Sequence, residues 1–210
     1  CAICGNNPIK NESNHYFFKL SDFSDDLKNW LLNNQNLQHD IVKYVLNWIE
    51  SGLQDWDITR DLSWGVPIPN IGNSKAHEGK VFYGWFDNHL CYISSLEKFA
   101  STILKKDGKK LWNESEINHY IGKDIVYHHY LFLTGIRIGI NNEYKLPDKI
   151  ITRGHLLFQN RKLSKSKNWY IGLGEFVKNF YPDYLRFYFS SIVPYSQSDI
   201  NFDWDNFYEK

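Results

Sequence analysis

Apolar residues follow two different rhythms along this chain. In the first third, Leu27, Trp30 and Leu31 recur at helical spacing within 25–33, and Val42, Val45, Leu46 and Ile49 repeat it within 40–50. Residues three and four apart share one face of an α-helix, so both stretches are predicted amphipathic helices, the second closing at Gly52. Ahead of them, "HYFFKL" (15–20) reads as a short strand, and "WGVPIPNIGN" (64–73) is broken by Pro and Gly into loop or extended chain. From residue 80 onward, short apolar runs alternate with helical ones. "KVFYGWF" (80–86) predicts a buried strand with a helix over about 91–105. "INHYIG" (117–122) predicts a strand leading into a helix near 124–135, and "DKIITRG" (148–154) predicts a third strand. Helices are expected around 171–180 and 182–191, with Pro182 in a first turn, where its missing N–H is no loss.

Alternation of this kind predicts an α/β fold, a parallel sheet with crossover helices. Ligands gather at the carboxyl ends of such strands. The three runs end in "WFDNH", "YIGKD" and "TRGH", so each is expected to deliver turn or polar residues to one sheet edge. A helix cap would explain any single one, Asp124 after Gly122 included. Three at one edge favour a site.

Composition narrows the choice. With 210 residues and 42% hydrophobic content, the chain can bury the core of one domain or one and a half. Lys and Arg number 24, as do Asp and Glu, so no overall field draws the chain to nucleic acid or a charged membrane. Any RNA contact must come from a local patch. No apolar run reaches the ~18–20 residues that span a bilayer and no signal peptide opens the chain, so a soluble, cytoplasmic protein without a membrane partner is expected. The chain starts at Cys1 and contains no Met, so upstream sequence is expected to be missing.

Cys1 and Cys4 form "CAIC" before Gly5, the shape of a zinc knuckle. Two thiolates are half of a closed site, so the pair is either half a zinc site with further ligands upstream or two unpaired thiols. In "NRKLSKSKNW" (160–169), four basic residues and two serines lie between Asn160 and Trp169. The stretch is either a solvated basic turn or a phosphate-holding loop. Its place after the third strand, beyond "IGKD", favours the phosphate loop.

That stretch resembles the Lys-Met-Ser-Lys-Ser loop of class I aminoacyl-tRNA synthetases. "GLQDWDITRDLSWGVPIP", "YGWFDNHLCYISS", "YIGKDIVYHHYLF" and the closing "FYPDYLRFYFSSIVP…SDINFDW" resemble consecutive blocks of the methionyl-tRNA synthetase family, and "CAICGNNPI" resembles the last knuckle of its connective insertion. The resemblance covers essentially the whole chain. It implies the second half of a Rossmann-like catalytic domain: 1–24 as the end of the zinc-knuckle insertion, 25–160 as the half-domain with its preceding helices, and 161–210 as the loop and a helical stem-contact region.

It also implies a reaction. The substrate carboxylate attacks the α-phosphate of ATP, carried with Mg2+, to give aminoacyl-adenylate and pyrophosphate, and the acyl group then passes to tRNA, of initiator and elongator methionine type. Charge builds on phosphate oxygens, so positioned cations and donors matter most. Lys162, Ser164, Lys165 and Ser166 are the implied catalytic group. Gly122, Lys123, Asp124 and Gly154 are implied at the nucleotide, with Asp124 suited to ribose hydroxyls and Gly154 admitting the adenine. Trp85, Asn88, His89, Tyr92, Ile125 and His129 occupy the positions that wall the amino-acid pocket. Asn160 stands where the family usually has Gly and tolerates a left-handed turn. The Arg60–Asp61 pair matches a family pattern beside the active site or is a solvated pair worth little.

Two departures follow. The family's His-Ile-Gly-His motif has no equivalent in these residues, so the 210 residues alone are expected to activate an amino acid poorly. The family's Trp-Phe-Asp-Ala-Pro-Ile-Gly-Tyr reads here Trp85-Phe86-Asp87-Asn88-His89-Leu90-Cys91-Tyr92, and an aromatic position before His129 is His128. Unpartnered amide or imidazole groups against a thioether cost ~1–3 kcal/mol each. Either they find internal partners or the substrate hydrogen-bonds. Adjacent helical residues point ~100° apart, so His128 and His129 are not expected to share a metal; one in the pocket and one packed elsewhere is expected. A synthetase-like ligase acting on a small amine and a non-catalytic remnant are the other readings.

Overall fold

The structure is a computed structural model and describes residues 5–69 and 79–210. Cys1 and Cys4 lie outside the described residues.

The two amphipathic stretches form α1 (Ser24–Asn33) and α2 (His39–Glu50), preceded by a short strand β1 (Phe17–Phe18). Their apolar faces enter one core. Leu27 and Leu31 of α1 meet Ile41, Val45 and Ile49 of α2, together with Leu20, Ile121, Val126, Tyr130 and Ile150. Burying each of these aliphatic side chains contributes roughly 1.5–3 kcal/mol, more than helix propensity does. The strand expected over 15–20 is only two residues long and pairs antiparallel with β2 (Trp56–Asp57).

"KVFYGWF" is not one strand. β3 (Thr59–Arg60) pairs antiparallel with β4 (Val81–Phe82), and the chain then turns at Tyr83 into α3 (Gly84–Phe99). Trp85 and Phe86, expected on a strand, belong to this helix, which begins at Gly84 rather than near 91. A short apolar run fits a buried strand and a buried helix alike. Within the helix Trp85 stacks on His89 one turn on, and Phe82 at the end of β4 packs on Phe86, with ring centroids 5.7 Å and 4.9 Å apart. A π-helical turn, Ala100–Leu104, extends α3 and stops at left-handed Lys105.

After α4 (Gly108–Glu114) comes β5 (Asn118–Gly122), then a continuous helical run: a 3-10 turn at Lys123–Ile125, a π turn at His128–Phe132 and α5 (Leu133–Gly139). This run crosses over to β6 (Lys149–Arg153), which pairs parallel with β5 in a register running from Asn118↔Lys149 to Gly122↔Arg153. The parallel sheet and its crossover helix are therefore present. Of the three expected strands, two lie side by side; β4 belongs to another sheet, so "WFDNH" reaches the site from a helix.

The remainder forms a smaller layer. β7 (Leu156–Phe158) pairs with β8 (Arg161–Lys162) and, in parallel, with β9 (Ile200–Phe202). The helices α6 (Leu173–Asn179), α7 (Pro182–Ile192) and α8 (Trp204–Glu209) bury Phe176, Tyr188 and Phe207 against Phe202, with Leu156 and Phe158 packed alongside. Pro182 occupies the first turn of α7. Among the described residues, no helix is long and apolar enough to cross a membrane.

Candidate active site

Because β5 and β6 are paired in register, Gly122 and Arg153 end at one level, and Lys123–Asp124 and Gly154–His155 emerge together. The Lys123 ammonium lies 2.7 Å from Asp199 Oδ1. The His155 backbone N–H donates to the same oxygen at 2.7 Å. Lys123 first, and then His155, hold the Asp199 carboxyl below its usual range. His155 Nε2 stands 3.5 Å from Asp124 Oδ1, and the Asp124 carboxylate stays largely exposed. Gly122 leaves room for that carboxylate, since a Cβ there would sit 2.6 Å from Asp124 Oδ1. At Gly154 the crowding comes from the chain itself. A Cβ would lie 2.7 Å from Asp199 N and closer still to the Ser198 carbonyl. Sequence reading missed Asp199 and His155, because their partners are set by strands far apart in the chain.

The basic stretch is an ordered hairpin. Gln159 and Asn160 have φ of 49° and 60°, and Phe158 pairs with Arg161. Positive φ at both central residues gives the primed two-residue turn that matches strand twist. Asn160 does adopt the left-handed conformation, and its N–H donates to Asn201 Oδ1 at 2.6 Å. Ser164 and Trp169 then exchange backbone hydrogen bonds of 2.9 Å, closing a short 3-10 turn over Lys165–Lys167. The Ser164 and Ser166 hydroxyls are 3.1 Å apart. Arg161 stacks on Trp169 at 4.3 Å, and the Trp169 indole N–H donates to the Phe158 carbonyl. Leu163 lines a small apolar cavity with Leu156, Leu173 and Phe189. Arg161 and Leu163 thus anchor the hairpin, leaving Lys162, Lys165 and Ser166 exposed. Among the described residues, neither of those lysines forms an ion pair.

A third group lies where α3 meets the helical run after β5. Trp85, His89 and Tyr92, spaced i, i+4 and i+7, share one face of α3, whereas Asn88 points to solvent. His129 donates from Nδ1 to the Ile125 carbonyl at 3.0 Å. Its Nε2 is therefore the acceptor for the Tyr92 hydroxyl at 3.1 Å. Burial raises the Tyr92 hydroxyl above its ordinary value. Ile125 contributes that carbonyl, while its side chain packs on the core. His128 and His129 do not separate into pocket and core as expected. Their rings lie 5.4 Å and 5.1 Å from that of His89, and His128 also stacks on Trp85 at 4.6 Å. Both rings therefore adjoin His89 in one cluster.

Two further members had no prior signal except a polar residue in an apolar run: His119 of β5, 4.9 Å from the Tyr92 ring, and Arg137 of α5. Burial first, and neighbouring charges second, push His89 and His119 down to about 3, and burial pulls Arg137 down to about 10. Arg60 pairs with Asp57 at 2.8 Å and stacks on Tyr83, while Asp61 pairs with Lys80 and Ser13. The Arg60–Asp61 pattern is thus split between separate partners. Among the described residues, no group of three His, Cys, Asp or Glu could hold a metal ion.

The family model for "tRNA synthetases class I (M)" matches residues 1–210. The chain belongs to this family. A methionine--tRNA ligase of Methanobrevibacter smithii is 41% identical over 208 residues, which are 99% of this chain and 30% of that protein. One from Methanopyrus kandleri is 38% identical over the whole chain and again 30% of its own length. The chain therefore spans about 30% of the length of these curated relatives. In fold it is similar to Mycobacterium tuberculosis methionyl-tRNA synthetase bound by methionyl-adenylate. Two such structures give TM-scores of 0.75 and 0.77 at 22% and 20% identity, covering 95% and 99% of this chain and 37% and 39% of theirs.

Proposed function

We propose that the protein containing this chain is an AMP-forming aminoacyl-tRNA ligase of the methionyl type. It activates methionine, or an analogue of its size, with ATP and passes the acyl group to tRNA, initiator and elongator methionine species being the expected acceptors. The observation that carries the reading is the in-register end of β5 and β6, which brings Lys123, Asp124 and His155 together just before the lysine hairpin.

Each group has a task that fits its surroundings. Asp124, exposed and acceptor-only, takes ribose hydroxyls. Lys162 and Lys165, without carboxylate partners among the described residues, meet the triphosphate and offset charge as pyrophosphate leaves. The Ser166 hydroxyl donates beside them. The aromatic face of α3 holds the amino acid with its carboxylate toward the α-phosphate. Mg2+ arrives with ATP and supplies further charge neutralisation there. Zn2+ at Cys1 and Cys4 and a cytoplasmic location complete the proposal; ligase activity requires the sequence beyond this chain.

ATP–pyrophosphate exchange on the protein containing this chain tests the reading, and dependence on an added amino acid is the expected result. Lys165→Ala should lower the exchange rate by about 100-fold or more, the scale of one transition-state donor. Its melting temperature should hold, because an exposed side chain contributes within ~0.5 kcal/mol to folding. Parallel losses of rate and stability would remove the catalytic role.

A further inference from the structure

The sheet edge and the lysine hairpin belong to two different sheets that meet at one joint. The chain leaves β6 at Arg153, passes Gly154 and His155, and enters β7 at Leu156, whose far end leads into the hairpin. A second link runs through space. Asp199 Oδ1 accepts from the Lys123 ammonium and from the His155 N–H, both at 2.7 Å. Two residues on, Asn201 Oδ1 accepts from the Asn160 N–H at the hairpin turn, at 2.6 Å. Between these grips the backbones run together. The Ile200 N–H donates to the His155 carbonyl at 3.0 Å, and the Gln159 N–H donates to the Phe202 carbonyl at 2.9 Å. Residues 199–202 thus hold both ends of the 155–160 segment. The approach to β9 is tied to other elements twice more. The Arg153 guanidinium covers the Tyr195 ring at 4.5 Å, and the Gln197 side-chain amide donates to Asp40 at 3.2 Å.

These contacts contribute little to folding. The Lys123 and Asp199 side chains are 34% and 35% exposed, and an exposed ion pair is a weak stabiliser. Their value is geometric. Residues two apart in extended chain project to the same side, roughly 6–7 Å apart along the strand, so β9 fixes how far the hairpin stands from the end of β5. Lys123, already neutralised by Asp199, serves as an anchor for that strand.

We propose that Asp199 and Asn201 are positioning residues, two grips on one strand that set the hairpin lysines at a fixed distance from Asp124. The inference rests on the ligase reading for its reaction and adds how the two parts of the nucleotide site are kept in register.

The test is methionine-dependent ATP–pyrophosphate exchange on the protein containing this chain, read as kcat and KM for ATP. Asn201→Ala frees only the hairpin turn. It should lower kcat about tenfold or more and change KM less than about threefold, because the lysines act on charge formed as pyrophosphate leaves. Asp199→Ala frees the sheet edge as well and should also raise KM for ATP at least about threefold. In a Lys165→Ala background, the kcat loss caused by Asn201→Ala should shrink at least about threefold, since residues that act through one another are not additive. Asn201→Asp keeps the acceptor oxygen and should recover most of the rate lost in Asn201→Ala. Should Asp199→Ala not fold, the Asn201 variants carry the test alone. Equal fold losses from Asn201→Ala with and without Lys165 would make Asn201 a purely structural residue, overturning the inference and leaving the ligase reading standing. A lower KM for ATP in Asp199→Ala would mean that Lys123 is released to bind phosphate, and overturns it as well. No exchange by the parent protein removes the ligase reading and this inference with it.

Discussion

Gly154→Ala places one methyl group where the backbone of Ser198 and Asp199 already runs. The new Cβ would stand 2.7 Å from Asp199 N and closer to the Ser198 carbonyl, so the neighbouring chain must move rather than a flexible side-chain tip. Overpacking against rigid atoms costs about 1–3 kcal/mol, and a backbone obstacle belongs at the upper end. For a cooperative unit of this size, ~3 kcal/mol lowers the melting temperature by about 6–12 °C. The displacement also has a functional signature. Asp199 Oδ1 holds both Lys123 and the His155 N–H, so moving residue 199 loosens the groups at the ends of β5 and β6. Gly174→Ala is the control, because a Cβ there meets nothing within 4 Å and Gly174 lies inside α6. Thermal melts with ATP-binding titrations on both variants should show a stability loss and weaker ATP binding for Gly154→Ala alone. A Gly154→Ala melt within about 1 °C of the parent would refute the assignment of residues 198–199 to this position.

Asn160→Val should cost about 1–2 kcal/mol, because a β-branched residue resists φ of 60°, while Asn160→Gly should be neutral within ~0.5 kcal/mol; equal melting temperatures for the two variants would exclude the left-handed turn. Acid should also weaken the fold through the histidines. His89 and His119 titrate at about 3 when folded against an ordinary 6.5, so the unfolded chain binds more protons between those values. Their contribution is complete above pH ~6.5 and drains as pH falls toward 3, on the order of 4 kcal/mol for the pair between pH 7 and 5. Denaturant unfolding at both pH values should show His119→Leu losing about half of that pH dependence. An unchanged dependence would mean that His119 is not buried as a neutral ring.

The sequence was most informative where one physical requirement dominated. Leu27, Leu31, Val42, Val45 and Ile49 had to share a face, so α1 and α2 were readable almost to the residue. The runs ending at Gly122 and Arg153 are apolar segments bounded by polar ones, and they form the parallel pair. "KVFYGWF" was not decidable, because a run that is apolar throughout carries no period, and only the turn at Tyr83 converts it to a helix. In the candidate site, the lysines of the hairpin were legible because exposed cations in sequence remain exposed cations in space. Asp199, His119 and Arg137 were not. Their roles depend on which strand or helix lies beside them, and a polar letter in an apolar run does not say whether its partner is protein, water or substrate.

Charge balance ties the two ends of the site together. The chain as a whole is neutral, with 24 basic and 24 acidic residues, yet the balance is uneven at close range. At the sheet edge each acid has a local partner, Asp199 with Lys123 and Asp124 with His155. At the hairpin, Lys162 and Lys165 have none among the described residues, and beneath the aromatic face Arg137 has none either. Unpaired positive charge on an exposed loop is inexpensive in water, and phosphate is its natural complement. Unpaired positive charge at 0% exposure is costly, so the same surplus means something stronger at Arg137 than at Lys165. On the proposed reading, the hairpin's surplus charge is met by the phosphates of ATP.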